Sequence, residues 1–164
     1  MNTSVKALAP YLYLTNPLTG WTYANARKRR TAVDFAHEIK KLLTMHFPNA
    51  IKIRLVSDNL NTHVPASLYK AFPAKEAREL LRRIEFHHTP KHGSWLNIAE
   101  SELAALSTQC LGDLRIKSIE ELNELIGAWE CDRNNRQTGV NWQFTTEIAR
   151  IKLKRLYPMP IFSH

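Results

Sequence analysis

The first third of the chain alternates short apolar runs with turn residues and then changes to a helical spacing. Residues 8–14 (LAPYLYL) and 21–26 (WTYANA) are short and aromatic, and the stretch between them is rich in turn formers. This pattern predicts a β-hairpin. After Thr31 the apolar positions recur every three or four residues, which predicts an amphipathic helix. Its buried face would carry Phe35, Ile39, Leu42 and Leu43.

The middle of the chain predicts two more strands with helices between them. Residues 51–57 (IKIRLVS) read as a strand that ends at Asp58, and residues 84–88 (IEFHH) read as another. Apolar positions at helical spacing predict short helices over about 64–71 and 73–83.

The last third is helical in pattern. An apolar stripe begins at Leu96, and Ser118 with Glu121 has the spacing of a capping box at the start of a second helix. The first stripe comprises Leu96, Ala99, Leu103, Leu106 and Cys110, and the second Ile119, Leu122, Ile126 and Trp129. A basic helix is predicted over 146–155. This order of elements indicates an α/β fold in which helices pack on a mixed sheet.

Composition and charge indicate the number of domains, the expected partner and the expected location of the protein. The length of 164 residues suits a single domain. There are 23 Lys and Arg against 15 Asp and Glu, and the net charge of +8 favours a polyanionic partner such as nucleic acid. The two cysteines match no metal or disulfide pattern. No apolar run reaches the roughly 20 residues of a membrane span, and no signal peptide begins the sequence, so an intracellular protein without membrane contact is expected.

Two carboxylates stand out by their placement. Asp58 follows a predicted strand, and Glu100 lies early in the helix that follows the next strand. Carboxylates brought together in this way hold hard divalent cations, which assist attack on phosphodiesters. By spacing alone such a pair is more often a set of surface residues than a metal site.

The residues around these carboxylates match a known pattern. VSDNLNTH (56–63) and HTPKHGSWLNIAESEL (88–103) resemble the second and third catalytic blocks of DDE transposases of the mariner superfamily, in particular their bacterial insertion-sequence branch. The resemblance assigns Asp58 to the second carboxylate and Glu100 to the third. It leaves Glu102 as a bystander on the helix surface.

The resemblance extends over nearly the whole chain, through LTGWTYANARKRRTAVDFA upstream and AWECDRNN and WQFTTEIARIKLKRLYP downstream. It implies an α/β fold of the ribonuclease H and retroviral integrase type, with helices flanking a mixed sheet. It also implies DNA strand cleavage and transfer that depend on Mg²⁺ or Mn²⁺, in a cytoplasmic bacterial protein that joins the nucleoid when bound to DNA. The supporting neighbours of the site would be Asn59, His63, His92 and Asn97.

The resemblance also implies a part that this sequence lacks. In the family the first Asp lies on the first, central strand, beside the strand that carries the second. Asp34 stands in the first turn of a predicted helix, three residues after Thr31, where a capping role fits better. The chain 1–164 is therefore expected to be one partial catalytic domain without a helix-turn-helix domain, with little or no strand transfer alone. It fits either a truncated or decayed element or the downstream product of a split reading frame whose partner supplies the first strand.

Other polar residues are assigned more modest roles. His87, His88 and His92 fit no standard zinc spacing, and Trp95 and Trp142 are favoured as packing anchors over base-stacking residues. DNA backbone contacts are expected from Arg27, Lys28, Arg29, Arg30, Lys91, Arg150, Lys152, Lys154 and Arg155. The alternative to a catalytic domain is a non-catalytic DNA-binding or interaction remnant, with a homodimer as one candidate assembly.

Overall fold

The computed structural model of the chain describes residues 10–58, 60–89, 98–137, 147–148 and 151, and over 98–100 it describes the backbone alone. The strands are β1 (Tyr11–Asn16), β2 (Trp21–Ala26), β3 (Ile53–Ser57) and β4 (Ile84–His88). The helices are α1 (Ala32–Lys41), α2 (Ala66–Ala71), α3 (Ala74–Arg82), α4 (Ile98–Leu106) and α5 (Ile119–Arg136). Two π-helical turns, Leu42–His46 and Ser107–Leu111, continue α1 and α4.

The predicted hairpin is confirmed, with its first strand shifted towards the turn. β1 and β2 pair antiparallel from Tyr11 opposite Ala26 to Asn16 opposite Trp21. Gly20 has φ +75°, a left-handed conformation that glycine adopts without strain, and its N–H donates to the Asn16 carbonyl at 2.9 Å. The turn thereby closes between Asn16 and Trp21.

Helix α1 begins where the sequence predicts. The Thr31 hydroxyl accepts from the backbone N–H of Asp34 at 3.1 Å, and the Asp34 carboxylate accepts from the backbone N–H of Thr31 at 3.0 Å. These reciprocal bonds form a capping box. The bond from the Thr31 hydroxyl holds the pKa of Asp34 below its usual value. Asp34 is therefore a capping residue of the helix, as its spacing indicates.

The second strand pair holds Asp58 at its end. β3 and β4 pair parallel, with Ile53 opposite Ile84 and Ser57 opposite His88, and α2 and α3 form the connection between them. β3 begins at Ile53 and not at Ile51, whose side chain is 92% exposed. The predicted strands and the two short helices are thus confirmed within two to three residues.

The mixed α/β character is confirmed, whereas the predicted single mixed sheet is not seen among the described strands. There β1 pairs with β2 and β3 pairs with β4, giving two separate two-stranded sheets. Side chains alternate between the two faces of a strand, so the two faces of β1 contact different apolar clusters. Leu12 packs with the cluster of α1, α3 and β4, and Tyr13 belongs to the cluster of α4 and α5.

Helix α5 runs along β2 and bonds its backbone with side chains. Asn134 accepts from the N–H of Thr22 at 2.8 Å and donates to the carbonyl of Thr22 at 2.9 Å. Asn123 makes the same pair of bonds with Ala26, at 2.8 and 3.0 Å. Between them Glu130 accepts from the N–H of Ala24. These side chains give β2 the partners that a neighbouring strand would otherwise provide.

The predicted capping box of α5 forms only in its first half. The Ser118 hydroxyl accepts from the N–H of Glu121 at 3.1 Å, as predicted, but the Glu121 carboxylate accepts from the N–H of Lys117 at 2.8 Å. Leu122 and Ile126 are buried on the predicted face. No described helix combines the length and the apolar character that crossing a membrane requires. The predicted helix over 146–155 lies almost entirely outside the described residues.

Candidate functional site

Asp58 lies where two parallel strands end together. The N–H of Thr89, just after β4, donates to the carbonyl of Ser57 at 2.9 Å, which ties the ends of β3 and β4. Asp58 follows Ser57 directly, and its side chain is 38% exposed. A half-exposed carboxylate at a strand end is open to a ligand or a substrate from the solvent side. Its neighbour Asn59 lies outside the described residues.

His63 holds the Asp58 carboxylate. Its Nδ1 lies 2.8 Å from Oδ1 of Asp58, and its side chain is 16% exposed. The imidazole stacks on the ring of Phe35 in α1, with centroids 4.8 Å apart and planes at 28°. His88 Nε2 donates to the His63 carbonyl at 3.1 Å. Asp58 is therefore connected through His63 to α1 and to the end of β4, which restricts the positions the carboxylate can take.

The structure also contains the helix that carries Glu100, the other predicted metal-binding carboxylate. Glu100 lies in the first turn of α4, but its side chain is outside the described part of the structure, so no distance to Asp58 follows. The predicted supporting residues His92 and Asn97 also lie outside the described residues, as does Lys91. Their roles stay predictions.

Glu102 is not the surface bystander that the sequence suggested. Its side chain is buried and forms an ion pair with Arg133 of α5. The Tyr13 hydroxyl donates to Oε2 of Glu102 at 3.0 Å. Burial is the main cause of a raised pKa for Tyr13, and the Glu102 charge raises it further. The prediction was wrong because α5 and β1 supply partners that the α4 pattern does not contain.

The basic run after β2 divides into an internal and an external part. Arg27 bonds the carboxylates of Asp34, at 3.2 Å, and Glu38, and its side chain is 27% exposed. The Arg27 N–H also donates to the Pro10 carbonyl at 2.9 Å. The next three residues, Lys28, Arg29 and Arg30, are exposed. Arg27 thus anchors the run, and the following side chains present positive charge to solvent.

A small pocket with a cavity volume of about 30 Å³, partly open to solvent, lies between the start of β1, the first turns of α1 and the loop after Asp58. Arg29, Arg30 and His63 are among its lining residues. The same histidine that bonds Asp58 therefore also forms part of the wall of this pocket. Sequence reasoning did not find the pocket because its walls come from four separate segments. The remaining predicted basic contacts, Arg150, Lys152, Lys154 and Arg155, lie outside the described residues.

The structure describes only some of the side chains that are predicted to surround a metal ion. In the described part of the chain, no group of three or more His, Cys, Asp or Glu side chains is arranged to hold a metal ion. Asp58 itself suits a hard cation, because it is a half-exposed carboxylate with one oxygen engaged by His63. A site built on Asp58 would need oxygen ligands from elsewhere.

Comparison with known protein families gives a match. A family model described as DDE superfamily endonuclease matches residues 11–123, which is more than half of the 164 residues. The matched range contains both strand pairs, Asp58, Glu100 and the basic run. No curated protein and no solved structure matches the chain.

Proposed function

Because the chain belongs to the DDE superfamily of endonucleases, we propose that it is the catalytic domain of a transposase of the mariner superfamily, in its bacterial insertion-sequence branch. Family membership makes DNA the expected substrate and cleavage of its backbone the expected reaction. The single observation that carries the proposal is the position of Asp58, a half-exposed carboxylate at the joined ends of two parallel strands.

Asp58 and Glu100 are the proposed ligands of the catalytic metal ions. The DDE superfamily generally uses divalent metal ions, and we propose Mg²⁺ or Mn²⁺ here because carboxylate oxygens are their preferred protein ligands. Bound metal would supply the charge that activates the attacking oxygen and stabilises the leaving one. Glu100 in the first turn of α4 follows β4 in the order of the family blocks.

The described side chains act by positioning. His63 bonds one oxygen of Asp58, while the ring of Phe35 stacked on the imidazole limits rotation of that imidazole. Catalysis through positioned charge falls steeply with displacements of about 1 Å, so this support bears directly on rate. His92, Asn59 and Asn97 are proposed as further neighbours on the strength of the family pattern alone.

The first Asp of the family has no counterpart among the carboxylates that precede Asp58. Asp34 caps α1, and Glu38 is buried in an ion pair with Arg27. We propose that the first Asp reaches the site on a strand from outside these 164 residues, such as that of an upstream transposase fragment. The pairing of β3 with β4 alone, among the described strands, supports the proposal, since no described strand pairs with the other edge of β3.

The test is metal-dependent nicking of supercoiled DNA. The chain is assayed alone and with a segment that restores the family's first strand and its Asp, in Mg²⁺ or Mn²⁺. Cutting is expected only with the segment, and Asp58→Asn should abolish it. Asp113→Asn is the matched control, because Asp113 is exposed and is not among the residues assigned to the site. Cutting by the chain alone that survives Asp58→Asn and Glu100→Gln would refute the site assignment.

A second candidate function is DNA binding without catalysis. The exposed Lys28, Arg29 and Arg30 and the net charge of +8 favour it. It predicts salt-dependent DNA binding that persists in the Asp58→Ala, Glu100→Ala double variant, with no cutting by either form, even with the added segment. Loss of binding in the double variant would count against it.

A further inference from the structure

The pocket beside His63 brings the basic run and Asp58 into one structural unit. Its walls include Pro10 and Leu12 from the start of β1, Phe35 from α1 and Thr62 from the loop after Asp58. Arg29 and Arg30 line it too, together with Arg27, Asp34 and Glu38. These segments are far apart in sequence, so only the tertiary fold creates this pocket.

The ionised side chains that line the pocket are three arginines and the carboxylates of Asp34 and Glu38, which leaves a net charge of +1. Arg27 is engaged by Asp34 and Glu38, and Asn25 donates to Glu38 at 3.0 Å. Neither Arg29 nor Arg30 forms an ion pair within the described part of the chain. No carboxylate of the described residues therefore occupies their N–H donors. A planar guanidinium presents paired N–H donors that match the oxygens of a phosphate.

We infer that Arg29 and Arg30 bind a phosphate of the DNA backbone in this pocket, and that His63 fixes the distance between this phosphate and Asp58. The inference rests on the proposed function, since it takes DNA as the ligand. His63 contributes to both places at once, with its Nδ1 on Asp58 and its ring among the pocket walls. A strand held at the pocket is thereby held at a defined distance from the carboxylate.

Lys28 provides the internal control. It is exposed and belongs to the same run, but it does not line the pocket. General attraction between a basic surface and DNA would weaken about equally on loss of any one of Lys28, Arg29 or Arg30, because each removal changes the net charge by one. A formed phosphate site depends much more on the two arginines.

The experiment compares Arg29→Gln, Arg30→Gln and Lys28→Gln in binding a labelled 20-base-pair DNA by fluorescence anisotropy. EDTA is present, so the result does not depend on catalysis. Each arginine variant is expected to lose about tenfold in affinity, as for a lost hydrogen bond between charged groups, and Lys28→Gln no more than about threefold. Arg29→Lys should recover only part of the loss. Thermal melting verifies that each variant is folded.

A second readout is local. In nuclear magnetic resonance spectra, DNA should shift the His63 ring signals of the parent and of Lys28→Gln, and shift them much less in the arginine variants. Equal losses in all three Gln variants, or an unshifted His63 ring in the parent, would overturn the inference. Failure of nicking together with this binding pattern would remove the catalytic proposal and leave the phosphate site standing.

Discussion

Glu100 and Glu102 lie two positions apart on α4 and are given different tasks. The proposed ligand Glu100 is in the first turn, whereas Glu102 is buried against Tyr13 and Arg133. A buried charge that loses its partner is costly, because the remaining charge has neither water nor a counterion. The same substitution should therefore lower the stability of the fold at Glu102 and the rate of DNA cutting at Glu100.

Glu102→Gln is expected to lower the free energy of unfolding by about 3 kcal/mol, since it leaves the Arg133 charge unpaired. Glu100→Gln should change the free energy of unfolding by no more than about 0.5 kcal/mol. It should instead reduce DNA cutting by the chain assayed with the segment that restores the first strand. Urea denaturation measures the first effect and the nicking assay the second. Equal stability of Glu102→Gln and the parent would contradict the structural role of the ion pair.

Glu130 offers a prediction about pH. Burial raises its pKa above the ordinary value of 4.5, although the bond from the Ala24 N–H opposes the shift. Folding thus favours the protonated form, and the stabilising contribution of protonation is lost as the pH rises through the folded pKa. Glu130→Gln keeps an oxygen acceptor and removes the charge.

At pH 7 the Glu130→Gln variant should melt at the same temperature as the parent or above it. The difference should shrink as the pH falls towards 4.5, because the parent then becomes protonated as well. Melting curves between pH 4.5 and 7 test this. A variant less stable than the parent at pH 7, with a deficit that shrinks as the pH falls, would contradict this prediction and show that the charge itself is needed.

At the scale of elements, the contact of α5 with β2 is made by side-chain amides. Asn134 and Asn123 each bond both the N–H and the carbonyl of one strand residue. Such bonds satisfy an edge that would otherwise be open to pairing with another chain. Helix α5 accordingly has two roles, packing Leu122 and Ile126 in the core and closing the edge of the hairpin.

Asn134→Ala should lower the free energy of unfolding by about 2 kcal/mol, because the N–H and carbonyl of Thr22 lose their partner. The neighbouring Asn135→Ala is the control, since that side chain is exposed and should matter by no more than about 0.5 kcal/mol. Hydrogen exchange at the Thr22 amide gives the local measure. Unchanged protection of that amide in Asn134→Ala would contradict the role assigned to Asn134.

At the scale of the whole molecule, β1 connects two apolar clusters. Tyr13 faces the cluster that contains Leu106 and Ile126, and Leu12 faces the one that contains Ile39 and Leu68. Because the described strands form two separate pairs, contacts of this kind substitute for a continuous sheet in holding the two parts together.

Leu12→Ala should therefore lower the free energy of unfolding by about 2 kcal/mol and raise the rate of amide hydrogen exchange in both clusters. Leu18→Ala on the same hairpin is the matched control, because Leu18 is 91% exposed and makes little difference to the core. Loss of protection confined to the cluster around α1 would show that the two parts unfold independently.

The sequence by itself determined the local elements and the family. The hairpin, the capping box of α1, β3 and β4 and the buried faces of the helices follow from periodicity and turn residues, which act over a few positions. The resemblance of two sequence blocks to the family also predicted Asp58 and Glu100 as site residues.

Only the tertiary structure decided which side chains meet. The burial of Glu102 by Arg133, the anchoring of Arg27 by Glu38 and the pocket shared by Arg29 and His63 join residues from separate elements. Periodicity describes which face of an element is apolar, but not which polar groups another element brings to it. For the same reason the sequence predicted one mixed sheet, whereas strand partners depend on packing and give two separate pairs among the described strands.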